Sequence, residues 1–257
     1  MKKLLLIAIC LLSLASCSAL RDTENKTADW TAQQIYAEAR NFLNESDFDS
    51  AIRYYELLEA RYPLGRYAQQ AQLDMIYAYY KYGEPESAIA VADRFIKFYP
   101  RHPNIDYAYY LKGLVNFEMN SGLVDRIVKL DKSQRDASAA KASFENFSEL
   151  VERFPNSKYS EDARQRMVYL HNNLARYELH VAEYYIKRGA YLAAANRAKT
   201  VVEGYPNSPD MPEALTLMAK AYKILDLHPL YEDALRVLKA NYPDYEGIAT
   251  VENTVIN

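Results

Sequence analysis

The stretch AIRYYELLEARYPLGR, residues Ala51–Arg66, decides the fold. Ala51, Ile52, Tyr55, Leu58 and Tyr62 fall on one helical face. Pro63 stops that helix, because it lacks an N–H and disfavours the αR conformation at the residue before it. The same closure, an aromatic residue followed by proline, occurs at Tyr62-Pro63, Tyr99-Pro100, Phe154-Pro155, Tyr205-Pro206 and Tyr242-Pro243. The prolines are 37, 55, 51 and 37 residues apart, a recurrence that signals stacked helical repeats. Such arrays are scaffolds for binding and carry no built-in chemistry.

Working outward, the apolar pattern divides into helix pairs. Ile35, Tyr36, Ala39, Phe42 and Leu43 share a face, and Ser46 or Asp47 is an N-cap candidate for the helix that follows. The second pair spans about 67–82 and 86–99, with Gly83 suited to a left-handed C-cap and Pro85 to a first helical position. The third starts near Asn104 and pauses near Asn120. The fourth has a long first helix, about 159–188, closed by Gly189, and a partner over about 191–205. The fifth covers about 211–227 and 230–242, and residues after Asp244 read as a frayed tail. These pairs resemble tetratricopeptide repeats, in which small residues sit where two helices cross and aromatics sit near the turn. Ala39, Phe42, Ala51 and Tyr55 take those roles in the first pair, and Ala182, Tyr185 and Ala194 in the fourth. Ile76 departs from the pattern in the second pair, and Tyr231 in the fifth. The expected fold is all-α, five tetratricopeptide-like pairs stacked as a right-handed solenoid. Repeats one to three occupy 30–155, with an insertion over 121–136 (SGLVDRIVKLDKSQRD), repeats four and five occupy 156–243, and 244–257 is a tail. The insertion reads either as a functional element or as a solvated loop with a short helix of its own.

The first residues stand apart from the fold. Lys2 and Lys3 precede an apolar run over 4–14 that is too short to span a bilayer. It ends Leu14-Ala15-Ser16-Cys17, which resembles the bacterial lipobox; the alternative is an ordinary secretory signal with a chance cysteine. The resemblance implies a signal peptide over 1–16, cleavage before Cys17 and two acyl chains there, enough for stable anchoring. Ser18 is not the Asp that in such lipoproteins marks the inner membrane, so the outer membrane is favoured. Residues 18–29 are polar and read as a flexible tether.

Without Lys2 and Lys3 the net charge moves from −3 to −5 and no polybasic cluster follows Cys17, which argues against nucleic acid and against binding to anionic lipid. His102, His171, His180 and His228 lack the i, i+3 or i+4 spacing of paired metal ligands on a helix. The chain has no Gly-rich phosphate loop, no G-x-S-x-G and no HExxH. We therefore expect no catalytic residues, no metal, and no cofactor beyond the covalent lipid on Cys17.

Three stretches go beyond generic repeats. They are Arg61–Gly65 (RYPLG) leading into Gln72–Tyr80 (QLDMIYAYY), His102–Tyr107 (HPNIDY), and Val181–Tyr185 (VAEYY) with Arg188-Gly189-Ala190 and Asn196-Arg197. Together with the lipobox they closely resemble the BamD, or YfiO/ComL, lipoprotein family of the β-barrel assembly machinery. The resemblance covers the mature chain to about Tyr242. It implies an outer-membrane anchor facing the periplasm. It also implies carboxy-terminal repeats that bind a POTRA domain of BamA and the lipoprotein BamE, and amino-terminal repeats that take the targeting signal of unfolded barrel proteins or, in some bacteria, a segment of BamC. Arg197 matches the family position that meets an acidic residue of BamA, and Arg188 lies in the same motif. A targeting segment of aromatic residues ending in a carboxylate needs rings and a cation. Tyr62, Tyr67, Tyr77 and Tyr80 are the candidate rings, and Arg61, Arg66 and Arg94 the candidate cations. Tyr62 has a competing reading, as a pin for its own helix pair. The competing function is a lipid-anchored adaptor that organises cell-wall enzymes.

Overall fold

The computed structural model describes residues 27–119 and 137–254. The signal segment, Cys17, most of the tether and the insertion 121–136 lie outside the described residues. Within them the chain is built from helices, without a strand. Five pairs are formed by α1 (Ala32–Asn44) and α2 (Phe48–Arg61), α3 (Arg66–Tyr82) and α4 (Pro85–Phe98), α5 (Ile105–Met119) and α6 (Ser138–Arg153), α7 (Ser160–Lys187) and α8 (Tyr191–Gly204), and α9 (Met211–Ile224) and α10 (His228–Asn241). A short α11 (Gly247–Glu252) follows.

Two compact units divide inside α5, one ending at Leu111 and one beginning at Lys112. In the first unit α1 packs on α2, α2 on α3 and α3 on α4, and α1 also touches α3. In the second each helix from α6 to α10 packs on its successor, and α7 also touches α9. This contact of one pair's first helix with the next pair's first helix is the tetratricopeptide arrangement. The small residues named from the sequence, Ala39, Ala51, Ala182 and Ala194, are all fully buried. So is Ile76, the departure in the second pair.

The aromatic-proline pairs impose one backbone geometry five times. Tyr62, Tyr99, Phe154, Tyr205 and Tyr242 cap α2, α4, α6, α8 and α10 with φ between −138° and −125° and ψ between 53° and 67°. Each still donates its N–H to the carbonyl four residues back, at 2.8 to 3.0 Å. The following proline drives the residue out of αR while the last helical hydrogen bond survives. The turns inside the pairs share a second geometry. Ser46, Gly83, Gly189 and Asp226 have φ of 62°, 89°, 73° and 58°. The next N–H in each case, from Asp47, Glu84, Ala190 or Leu227, donates five residues back to the carbonyl of Phe42, Tyr79, Tyr185 or Tyr222 at 2.9 to 3.0 Å. These are Schellman-type closures. Asp47, not Ser46, is the N-cap of α2, its carboxylate accepting from the Ser50 N–H.

The frayed-tail reading of the residues after Asp244 is corrected by α11. Tyr242-Pro243 is followed by the same two hydrogen-bonded turns as the closures at Tyr99, Phe154 and Tyr205, here Tyr245 N–H to the Tyr242 carbonyl and Ile248 N–H to the Tyr245 carbonyl, both at 3.1 Å. Helix α11 then packs on α9 and α10, with Val251 fully buried against Ala219 and Ala234. Lys223 Nζ donates to the Val251 and Glu252 carbonyls at 3.1 and 2.7 Å, closing its C-terminus. Helix α11 therefore stands where a sixth pair would begin.

Candidate functional site

In the first unit, the side chains that converge most are on one face of α3. Tyr67, Gln70, Asp74, Tyr77 and Lys81 are spaced at three or four residues and so share that face. Asp74, 6% exposed, is its centre. Its Oδ2 accepts from the Tyr36 hydroxyl at 2.8 Å, from Arg40 at 3.2 Å and from the Tyr55 hydroxyl at 3.2 Å, and its Oδ1 accepts from Gln70 at 3.1 Å. Burial, then the charge of Asp74, pushes the Tyr36 and Tyr55 phenols well above their ordinary value. Burial pulls the Arg40 guanidinium down and Asp74 more than offsets it, so its pKa is raised. The Tyr36 ring lies 5.5 Å from that of Tyr67, and Arg66 sits 4.7 Å over the Tyr67 ring while donating to its hydroxyl at 2.9 Å. Arg66, Tyr67 and Tyr36 thus form a cation-aromatic line anchored on a buried carboxylate.

The structure scatters the other sequence candidates. Arg61 donates to the Thr27 carbonyl at 2.5 Å, and the Tyr62 hydroxyl to the Trp30 carbonyl at 2.8 Å, so both hold the segment that enters α1. Tyr62 nevertheless stays 37% exposed. Tyr77 packs edge-on to Phe48 at 6.4 Å and beside Tyr80 at 6.3 Å, and Lys81 lies over both tyrosine rings. Arg94 pairs with Glu59 at 2.9 Å, together with Gln72, which lies about half a turn round α3 from Asp74. It therefore sits away from the Arg66–Tyr67 line. Tyr36, Arg40 and Asp74 were not candidates from the sequence. The one available signal was the apolar-face position of Tyr36; Asp74, between Leu73 and Met75, carried none that set it apart from other helical carboxylates.

In the second unit a groove of about 590 Å³ is lined by Tyr177, His180, Val181, Glu183, Tyr184, Tyr185, Lys187 and Arg197. Arg197, on α8, reaches across to Glu178 on α7, Nη1 to Oε2 at 2.8 Å. That hydrogen bond raises the arginine's pKa, burial opposes it, and the Glu178 charge adds to it. Arg188 lies 5.5 Å over the Tyr184 ring and donates to its hydroxyl at 3.1 Å. Tyr184 lines the groove, so the structure brings both sequence-predicted arginines of this unit to one tyrosine-rich surface.

Behind this groove Arg176 bonds Asp210 and, at 3.0 Å, Glu213. The Glu213 carboxyl is held above its ordinary value, first by burial and then by its hydrogen bond to Glu183 and the charges of Glu183 and Asp210, with Arg176 opposing. The folded chain thus binds this proton more tightly than the unfolded chain, and stability is lost as pH rises through the interval between the two values. Replacing Glu213 by Gln removes that loss. The melting temperature of E213Q relative to wild type is expected to climb as pH is raised from about 4 to about 7. A difference that stays flat over that range contradicts the assignment.

Among the described residues no three His, Cys, Asp or Glu side chains cluster as metal ligands, and no helix is long and apolar enough to cross a membrane. Helix pairs whose first helices touch the first helix of the next pair, and which present tyrosine-arginine surfaces, define a tetratricopeptide-type array. A family model described as YfiO, outer membrane lipoprotein, matches residues 28–238. The chain is 46% identical over 247 residues to the outer membrane protein assembly factor BamD of Neisseria meningitidis serogroup B, covering 95% of this chain and 92% of the relative. It is equally similar, by the same measures, to BamD of Neisseria gonorrhoeae, and 35% identical over 241 residues to BamD of Pasteurella multocida, covering 94% and 91%. The chain belongs to the YfiO family of outer membrane lipoproteins.

Proposed function

We propose that this chain is a non-enzymatic assembly factor for outer membrane β-barrel proteins, anchored on the periplasmic face of the outer membrane by lipid on Cys17. The second unit binds a POTRA domain of BamA through Arg197 and Arg188, and associates with BamE. The first unit receives the targeting segment of unfolded barrel proteins and, where it exists, BamC. Family membership and the similarity to outer membrane protein assembly factors support the assembly role. The observation that carries the BamA reading is the Arg197 guanidinium, 42% exposed in a tyrosine-lined groove with one edge fixed by Glu178. A partner carboxylate on its other edge completes a charge-assisted pair. In the first unit the Arg66–Tyr67–Tyr36 line suits a segment ending in an aromatic residue and a carboxylate.

The test must respect Glu178. Arg197→Glu would set two carboxylates against each other, so Arg197→Gln is the cleaner variant. We expect R197Q to bind the purified POTRA region of BamA about tenfold more weakly, a loss of about 1.4 kcal/mol, with an unchanged melting temperature. Equal affinity for wild type and variant sinks this reading. Retention of cell-wall enzymes, with no BamA, on the immobilised chain favours the adaptor instead.

A further inference from the structure

We infer that Glu178 is a positioning residue for Arg197, one that selects for a partner carboxylate approaching along the opposite edge of the guanidinium. The inference rests on the BamA reading above. Glu178 lies on α7 and Arg197 on α8, 19 residues later, so only the hairpin register brings them together. The Glu178 side chain is 14% exposed, and Arg197 is its hydrogen-bond and ion-pair partner. Arg197 uses Nη1 for this contact, and among the described residues its Nε and Nη2 make no hydrogen bond. Tyr177 and Tyr185 flank the same groove, one residue before Glu178 and seven after it.

An arginine side chain free to sample its rotamers loses that freedom on binding. Here Glu178 has already fixed it, and the guanidinium fork leaves two parallel donors for one incoming carboxylate. Tyr177, Tyr185 and Arg197 line one groove, so a carboxylate lying in that groove can reach the guanidinium. A lysine at 197 would spend its single point charge on Glu178 and keep no second planar edge for the partner.

The experiment uses the purified full chain, with the purified POTRA region of BamA as probe. Glu178→Ala is expected to weaken binding about five- to tenfold. Glu178→Gln, which keeps an acceptor oxygen, is expected to bind within about twofold of wild type. In an R197Q background Glu178→Ala is expected to add no further loss, because it acts through Arg197. The charge-swapped chain, E178R with R197E, restores the internal pair and is expected to bind no better than R197Q. In the free protein the Arg197 Nε–H signal is expected to be sharp, and to broaden or average in E178A. Wild-type affinity in E178A, an undiminished loss in the R197Q background, full affinity in the swapped chain, or an Arg197 signal indifferent to Glu178 each overturns the inference. If R197Q itself binds normally, the BamA reading fails. If R197Q is weakened and E178A is not, Glu178 alone loses its role.

Discussion

Replacing Asp74 by Ala is expected to destabilise the first unit by about 3–5 kcal/mol. The carboxylate accepts four hydrogen bonds from three helices, and its removal strands the fully buried Tyr55 hydroxyl and leaves Arg40 without its counter-charge. Leaving buried partners unpaired costs more than the net worth of any one bond. Loss of this size corresponds to a fall of about 10 °C or more in the melting temperature. Tyr55→Phe removes one donor and leaves the acceptor satisfied by the others, so about 1 kcal/mol is expected. The contrast between the two variants is the test. An Asp74→Ala chain that melts within about 3 °C of wild type shows that the network contributes little. The Arg66–Tyr67–Tyr36 line hangs on the same carboxylate, so Asp74→Asn, which keeps the shape, tests its effect on peptide binding without wholesale loss of the fold.

The second large effect is expected at Gly113, on α5 in the second unit. A Cβ built there lies 2.4 Å from Cε1 and 2.6 Å from Cδ1 of Phe147 on α6. That ring is fully buried and cannot swing away. The Ser143 hydroxyl also donates to the Gly113 carbonyl at 2.9 Å, holding the backbones close. Gly→Ala in an exposed helix gains about 1 kcal/mol from propensity. Here overpacking of about 1–3 kcal/mol outweighs it for Ala, and Val should sit at or beyond the upper end. Urea denaturation should show G113A less stable than wild type and G113V less stable again. Phe147→Leu in the G113A background should recover part of the loss. A G113A chain more stable than wild type contradicts the close crossing.

The sequence is legible where one residue dictates one local geometry. Proline after an aromatic acts on its neighbour alone, so all five helix ends could be read directly, as could the left-handed turns at Gly83 and Gly189. The break before α2 was legible, but the left-handed conformation at Ser46 and at Asp226 was not, because polar residues adopt it without announcing it. The six residues of α11 are too few to show a helical period, and packing on α9 and α10 decides their conformation. Arg66 and Tyr67 are neighbours in sequence and partners in space, whereas Arg94 is drawn to Glu59 by the register of α2, α3 and α4. Asp74 resembled the other acidic residues of solvated helix faces. What distinguishes it is three donors from α1 and α2, 19 to 38 residues away. The Glu178–Arg197 pair has the same character, since no local pattern foretells which residues of two facing helices will meet.

Helix α11 has a consequence for how large the assembly of one chain can become. An open stack of helix pairs ends in an apolar face that would accept another pair, from the same chain or from a neighbouring copy. By laying Val251 on Ala219 and Ala234 of that face and tying its own carbonyls to Lys223, α11 covers apolar surface that another helix pair would otherwise need to cover. The extra residues 121–136, by contrast, fall between α5 and α6, within the third pair and away from this covered end of the chain.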